Sequence, residues 1–210
     1  MKRGCLLVFV VTACGDSEDL PAPTITSVTP AATCGRDVAL VEIRGTGFAD
    51  EAEVVFDRPG GGGYTPSPGA VSTLSDEHII VFTNELEGAP AAFEPPAVYD
   101  VLVRNPDGKE ARLAAGLTKY SELEIASVTP PVGARGTSVD VTINGRGFYD
   151  ELEVHLGVGP QAQVLQVPAT TGSTATVTFD LAGVNAGSYA VVVANRGGCS
   201  AGRDGAFLVE

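Results

Sequence analysis

The chain has 210 residues, room for one large domain or two small ones, and its 26 acidic against 13 basic residues give a net charge of −13. So acidic a body repels phosphate backbones, which excludes nucleic acid as a partner. The 26 Gly and 14 Pro, with one Met and no Trp, join short Val- and Thr-rich runs without a 3.6-residue period, which excludes a helical protein and points to a turn-rich, all-β chain.

Lys2 and Arg3 precede an apolar stretch from Gly4 to Ala13. That stretch is too short to span a bilayer, which needs about 20 residues, and has the anatomy of a secretion signal. Its end, Val11-Thr12-Ala13-Cys14, resembles the lipobox of bacterial lipoproteins, in which a lipid is attached to the cysteine and the chain is cut just before it. The resemblance implies that residues 1–13 are a signal peptide and that Cys14 is the lipidated mature N-terminus. Several acyl chains there make anchoring stable, since each buried CH₂ contributes about 0.8 kcal/mol. An ordinary signal with an incidental cysteine and a short buried strand are the other readings of this run. Residues 14–23, CGDSEDLPAP, continue as a polar, acidic tether between membrane and folded body. Loss of Lys2 and Arg3 with the signal leaves 11 basic and 26 acidic residues, a charge of −15.

Beyond the tether the chain repeats itself. ITSVTP at 25–30 recurs as IASVTP at 125–130, and GTGFADEAEV at 45–54 recurs as GRGFYDELEV at 145–154. YDVLVRNPDG at 99–108 answers YAVVVANRGG at 189–198 at a shorter offset, so the first copy carries about ten extra residues in its middle. PGGGGYTPSPG at 59–69 and EGAPAAFEPPA at 87–97 are the candidate insertions. Two copies predict two domains, 24–120 and 121–210. Within them, Val139, Val141 and Ile143 alternate with polar neighbours, as do Tyr189, Val191 and Val193. The first copy offers Leu40 or Val41 with Ile43, and Tyr99, Val101 and Val103. Half-buried strands of this kind, about seven per copy, predict a pair of two-sheet sandwiches.

The ordered set of motifs resembles the IPT/TIG family of immunoglobulin-like modules. It comprises the opening I-x-S-V-T-P, the G-x-G-F corner (Gly45, Gly47 and Phe48; Gly145, Gly147 and Phe148) and the Y-x-V-x-V strand ending in Asn-Pro-Asp-Gly or Asn-Arg-Gly-Gly. The expected fold is all-β: two tandem immunoglobulin-like β-sandwiches after an N-terminal lipoprotein signal and a short linker. The resemblance implies a non-catalytic module that binds a protein or glycan, or a passive spacer.

Chemistry-bearing residues are few. Gly-x-Gly-Phe lacks the third glycine and the helix of a phosphate cradle; its glycines are expected at positive φ, with Phe48 and Phe148 in the core. Asp50, Glu51 and Glu53 recur as Asp150, Glu151 and Glu153. Such carboxylates are weak calcium candidates or the solvent face of a strand start, and no calcium-binding loop motif surrounds them. His78 and His155, the two histidines, occupy non-equivalent positions, and no H-E-x-x-H or C-x-x-C occurs. No cofactor and no catalytic residue is expected. Tyr99 and Tyr189 open equivalent strands, either tying down a loop through the hydroxyl, as immunoglobulin-like folds do, or serving as plain core aromatics.

With Cys5 in the signal and Cys14 lipidated, the folded body keeps Cys34 and Cys199. In an immunoglobulin-like tandem the loop of Cys34 in the first copy and that of Cys199 in the second both face the junction, so export into an oxidising compartment predicts a bond between them. Independent thiols, or pairing with another protein, are the alternatives. The expected location is the cell envelope. Gly15 after the anchor cysteine, where enterobacterial lipoproteins retained at the inner membrane carry aspartate, points to the outer membrane.

Overall fold

The computed structural model describes residues 21–34, 39–83, 95–149, 151–168 and 172–210. Cys14 and Asp150 lie outside these residues. The described chain is almost entirely strand; its one helical element is a 3-10 turn, Pro68–Ala70.

The first half forms β1 (Thr24–Thr29), β2 (Ala32–Cys34), β3 (Ala39–Thr46), β4 (Glu53–Asp57), β5 (Val71–Ser75), β6 (His78–Thr83), β7 (Ala97–Arg104) and β8 (Glu110–Tyr120). They make two four-stranded sheets, ordered β1-β3-β6-β5 and β2-β8-β7-β4. The second half forms β9 (Glu124–Thr129), β10 (Val132–Gly133), β11 (Ser138–Phe148), β12 (Leu152–Leu156), β13 (Gln163–Val167), β14 (Gly172–Asp180), β15 (Gly187–Asn195) and β16 (Ser200–Val209). Here the sheets are β9-β11-β14 and β10-β16-β15-β12-β13. Each sheet pair encloses its own core. Val41, Ile43, Val54, Phe56, Ile79, Tyr99 and Val101 fill the first, and Val141, Ile143, Phe148, Val154, Phe179, Val191 and Phe207 the second. Alternation settles the choice on β3: Val41 and Ile43 are fully buried while Leu40 is 45% exposed.

The repeated I-x-S-V-T-P has a structural reason. Val28 and Val128 enter the two cores, and the chain then changes sheets at Pro30 and Pro130, after cis Thr–Pro bonds. Before the proline the strand runs antiparallel to β3 or β11; after it, β2 runs parallel to β8 and β10 parallel to β16. The first strand therefore seals both sheets.

The copies diverge after β4 and β12. Six residues, 157–162, return the chain as β13 beside β12, whereas 13 residues, 58–70, carry it away from β4 to become β5 on the opposite sheet. The first sandwich thus has the four-strand partition of constant-type immunoglobulin domains plus a short parallel strand, and the second has a five-stranded sheet facing three.

At the joint, Cys34 ends β2 and Cys199 directly precedes β16. Their sulfurs are bonded, with the Cα atoms 5.0 Å apart and a sequence separation of 165. Buried Tyr120, paired with Cys34 in the β2–β8 ladder, packs its ring against Gly197, where a Cβ would stand 2.3 Å from the ring. The Asn195 side chain accepts the N–H groups of Gly197 and Cys199 at 2.9 and 3.1 Å, which fixes the turn that presents the thiol.

A bulge interrupts β8 opposite Tyr99–Val101 and recurs in β16 opposite Tyr189–Val191. In the second sandwich Gly205 occupies it at φ +60, but in the first Ala115 must hold φ +51. Asp100 compensates: its carboxylate accepts the Ala115 N–H at 2.7 Å and the Arg112 guanidinium at 2.8 Å. The backbone donor and then Arg112 hold the Asp100 carboxyl below its ordinary range, so this support is present above the usual carboxylate pKa and is lost as pH falls through the lowered value. Left-handed backbone costs an L-residue roughly 1–2 kcal/mol, and glycine loses more entropy on folding. Ala115→Gly is therefore expected to stabilise the protein by about 0.5–1 kcal/mol, read as a rise in the denaturant midpoint at constant slope.

Candidate functional site

A cavity of about 650 Å³ opens along one edge of the first sandwich, where β4 ends one sheet and β5 the other. The missing neighbour strand creates it. After β4 the chain makes a single bridge, Tyr64 to Phe56, with the two backbone bonds at 2.7 and 2.8 Å and the two rings stacked 6.4 Å apart. Continued antiparallel pairing would put Pro66 opposite Val54. Proline has no N–H to donate, so the ladder stops and the segment Thr65–Pro68 crosses to β5 as the cavity wall. Pro68 and Val71 supply apolar surface over the buried Val54 and Pro66, Thr65, Ser72 and Thr73 supply hydroxyls, and Asp50, Glu51 and Glu53 complete the lining. Among the described residues no Lys or Arg lines the cavity.

The corresponding place in the second sandwich is closed. There β13 covers β12 along its whole length, Leu152 opposite Val167 through Leu156 opposite Gln163. What remains is a smaller depression of about 330 Å³ lined by Glu151, Glu153, Gln166, Asn195 and Arg196. Arg196 pairs with Glu151, and Gln166 donates to Glu153 at 2.8 Å. In the second copy Glu151 thus meets a cation and Glu153 a strand, whereas in the first Glu53 pairs with Arg104 at 3.1 Å and Glu51 faces the cavity.

The remaining candidates distribute as follows. Among the described residues no three His, Cys, Asp or Glu side chains converge to hold a metal. His78 and His155 lie in different sandwiches, each 3.5 Å from a glutamate, Glu42 and Glu153 respectively. In the G-x-G-F corners only the second glycines, Gly47 and Gly147, have positive φ, at +71 and +79. The expectation of positive φ at Gly45 and Gly145 is thus corrected; those positions are glycine because a Cβ would stand 1.8 or 1.9 Å from the carbonyl oxygen of Thr24 or Glu124. Phe48 and Phe148 are core residues. The spacing G-x-S-x-G occurs once, Gly198 to Gly202. Its Ser200 opens a strand after a hairpin turn, its Cys199 is disulfide-bonded and no helix follows, so the strand-turn-helix setting of a nucleophile elbow is absent.

The two tyrosines part company. The Tyr189 hydroxyl donates to the Asn185 carbonyl at 2.8 Å, the loop tie of immunoglobulin-like folds. Tyr99 is fully buried and its hydroxyl has no partner among the described residues; burial raises its pKa against the pull of Arg58. Tyr189→Phe is expected to cost about 1 kcal/mol, whereas Tyr99→Phe removes an unpaid desolvation and leaves stability unchanged or raised. Paired chemical denaturation curves check the contrast.

No family model matches the chain, and no curated protein matches it. Solved structures do match over most of its length. The plexin A4 extracellular region is 19% identical with a TM-score of 0.43, covering 94% of this chain and 16% of that one. SGBP-B from a complex xyloglucan utilization locus in Bacteroides uniformis is 18% identical with a TM-score of 0.31, covering 90% and 50%. Murine CEACAM1b is 13% identical with a TM-score of 0.43, covering 90% and 100%. The chain spans 16% and 19% of the two plexin chains it matches. At TM-scores of 0.43 and below, none of these likenesses bears on ligand or activity.

Proposed function

We propose that the protein is anchored in the cell envelope, at the outer membrane, by lipid on Cys14, and that residues 24–120 and 121–210 are two IPT/TIG domains forming a non-catalytic binding module for a protein or glycan. The signal-like N-terminus and acidic tether support the anchor. A disulfide between Cys34 and Cys199 suits the oxidising compartment that export would reach. The observation that carries binding over spacing is the cavity of about 650 Å³ in the first sandwich, at the edge that the second sandwich covers with its own strand. A passive spacer is the second reading, favoured by the disulfide that links the two sandwiches covalently.

Two measurements test the proposal. Labelling with radioactive palmitate should mark the wild-type chain and the membrane fraction should retain it, while Cys14→Ser should abolish both. Residues 24–210 should capture a defined partner from envelope extract or bind a glycan on an array. Retention of a binder-free body in the membrane fraction would leave the spacer reading and remove the binding module.

A further inference from the structure

We propose that the free edge of β14 pairs with the β14 edge of a second copy of this chain, joining the two β9-β11-β14 sheets into one continuous sheet. This goes beyond the binding-module reading and uses neither the cavity nor β4.

The two sandwiches differ at this edge. In the first, β6 pairs with β3 on one side and with β5 on the other, Val71 opposite Val81 and Thr73 opposite Ile79. β14 holds the place of β6 beside β11, but the strand that would cover it runs instead as β13 on the facing sheet. β14 therefore ends its sheet, and among the described residues no strand lies beyond it. Its residues are accessible: Thr176 and Thr178 are exposed and Thr174 is half-buried. Asp180 fixes the direction of the main chain. Its N–H donates to the Gln163 side-chain oxygen at 3.2 Å and its C=O accepts from the Gln163 amide at 3.4 Å, whereas Leu181 bonds back to Thr137 and Gly136. Asp180 thus faces away from β11, and in an antiparallel ladder every second residue faces the same way. The N–H and C=O of Thr174, Thr176 and Thr178 point outward too, with no backbone partner among the described residues. At Asp180 the chain satisfies the edge with a side-chain amide of its own; the three threonines are left open.

Sequence and charge choose a second copy. An open edge is a template for another strand, and natural edges are blunted by proline, lysine or a bulge. Residues 174–180 have none of these and pair with β11 in unbroken register. Residues 172–179 carry no charge, in a chain whose net charge is −13. Antiparallel to itself, β14 has one register that uses all three threonines: Thr176 opposite the partner's Thr176, and Thr174 opposite the partner's Thr178. Each such pair exchanges both main-chain bonds, and cross-strand Thr–Thr pairs are favourable. Asp180 falls opposite the partner's Gly172, so the strand's carboxylate does not meet its mate. The pairing is two-fold and leaves neither β14 edge free, so assembly closes at a dimer.

Sedimentation equilibrium of the full chain in detergent should show monomer and dimer in exchange. Thr174→Lys/Thr178→Lys sets like charges opposite each other and should weaken the dimer at least tenfold, whereas Thr174→Lys/Thr178→Glu sets opposite charges there and should not weaken it. Both variants change outer-face positions only, and matched unfolding midpoints verify that they fold. Under mild oxidation Thr176→Cys should form a covalent dimer by itself, while Thr174→Cys and Thr178→Cys should do so only when mixed. In the dimer the Thr176 amide should exchange with solvent at least tenfold more slowly than in the diluted monomer, and the Val177 amide, which faces β11, should be unchanged. A monomer throughout, a dimer equally stable in both charge variants, self-crosslinking of Thr174→Cys equal to that of Thr176→Cys, or a dimer whose Thr176 amide exchanges freely would each overturn pairing through β14. None of these outcomes touches the binding-module reading.

Discussion

Replacing Cys34 and Cys199 together by alanine is expected to lower the unfolding free energy by about 5 kcal/mol, the chain-entropy value for a loop of this length. The bond closes 165 residues, nearly the whole folded body, so the unfolded chain it constrains is unusually long. The native state gives the bond a settled place: Cys199 is almost fully buried, the Asn195 side chain fixes its turn, and Tyr120 beside Cys34 packs on Gly197. Only Ser121 to Leu123 separate β8 from β9, so the joint has two short covalent crossings in place of one. Equilibrium denaturation of wild type with and without reductant, and of the double variant, measures the effect; reductant should lower the wild type to the variant and leave the variant unmoved. A difference below about 1 kcal/mol would mean that the two sandwiches unfold independently. Each would then be indifferent to a crosslink that only joins them.

What the sequence made legible follows from which interactions are local. Strand alternation is local, so Val141, Ile143, Tyr99 and Val101 could be placed in cores by period alone, and the offset between repeated motifs measured the insertion. Residue chemistry also located the turns, since Gly47 and Gly147 must leave the usual backbone region. The disulfide partners could be named because an immunoglobulin-like topology puts both loops at one joint. Strand pairing is another matter. That residues 71–75 join β6 while residues 163–167 join β12 depends on where a chain goes after leaving its neighbour, and the decisive residue, Pro66, is unremarkable until its register against Val54 is known. The cavity inherits that blindness. Its wall, Thr65 to Pro68, lies in the segment the repeat marked as inserted, but nothing in the insertion announces a cavity. Gly45 and Gly145 show the same limit: the requirement for glycine comes from an earlier strand, at Thr24 and Glu124, passing overhead.

The overhead strand makes Gly145→Ala a severely disruptive substitution in the second sandwich. An added Cβ would stand 1.9 Å from the Glu124 oxygen and 2.5 Å from the Phe148 ring, and neither neighbour can retreat. Glu124 begins β9, whose Ile125 and Val128 are set in the core, and Phe148 is wholly buried. Relief requires peeling the start of β9 from β11 or displacing the phenylalanine, and overpacking of this kind costs about 3 kcal/mol, at the severe end of single substitutions. Gly45→Ala should behave alike in the first sandwich, where the Thr24 oxygen and Phe48 ring would lie at 1.8 and 2.6 Å. Gly60→Ala separates the mechanisms: nothing lies within 4 Å of its Cβ, and only its φ of +96 resists, so its cost should stay near 1–2 kcal/mol. Adding Phe148→Leu to Gly145→Ala shortens the ring contact but leaves the carbonyl in place, and should recover none of the loss. Denaturant midpoints for the four chains decide it. A Gly145→Ala cost no larger than that of Gly60→Ala would remove the close approach of β9 as the reason this corner of the repeat is glycine.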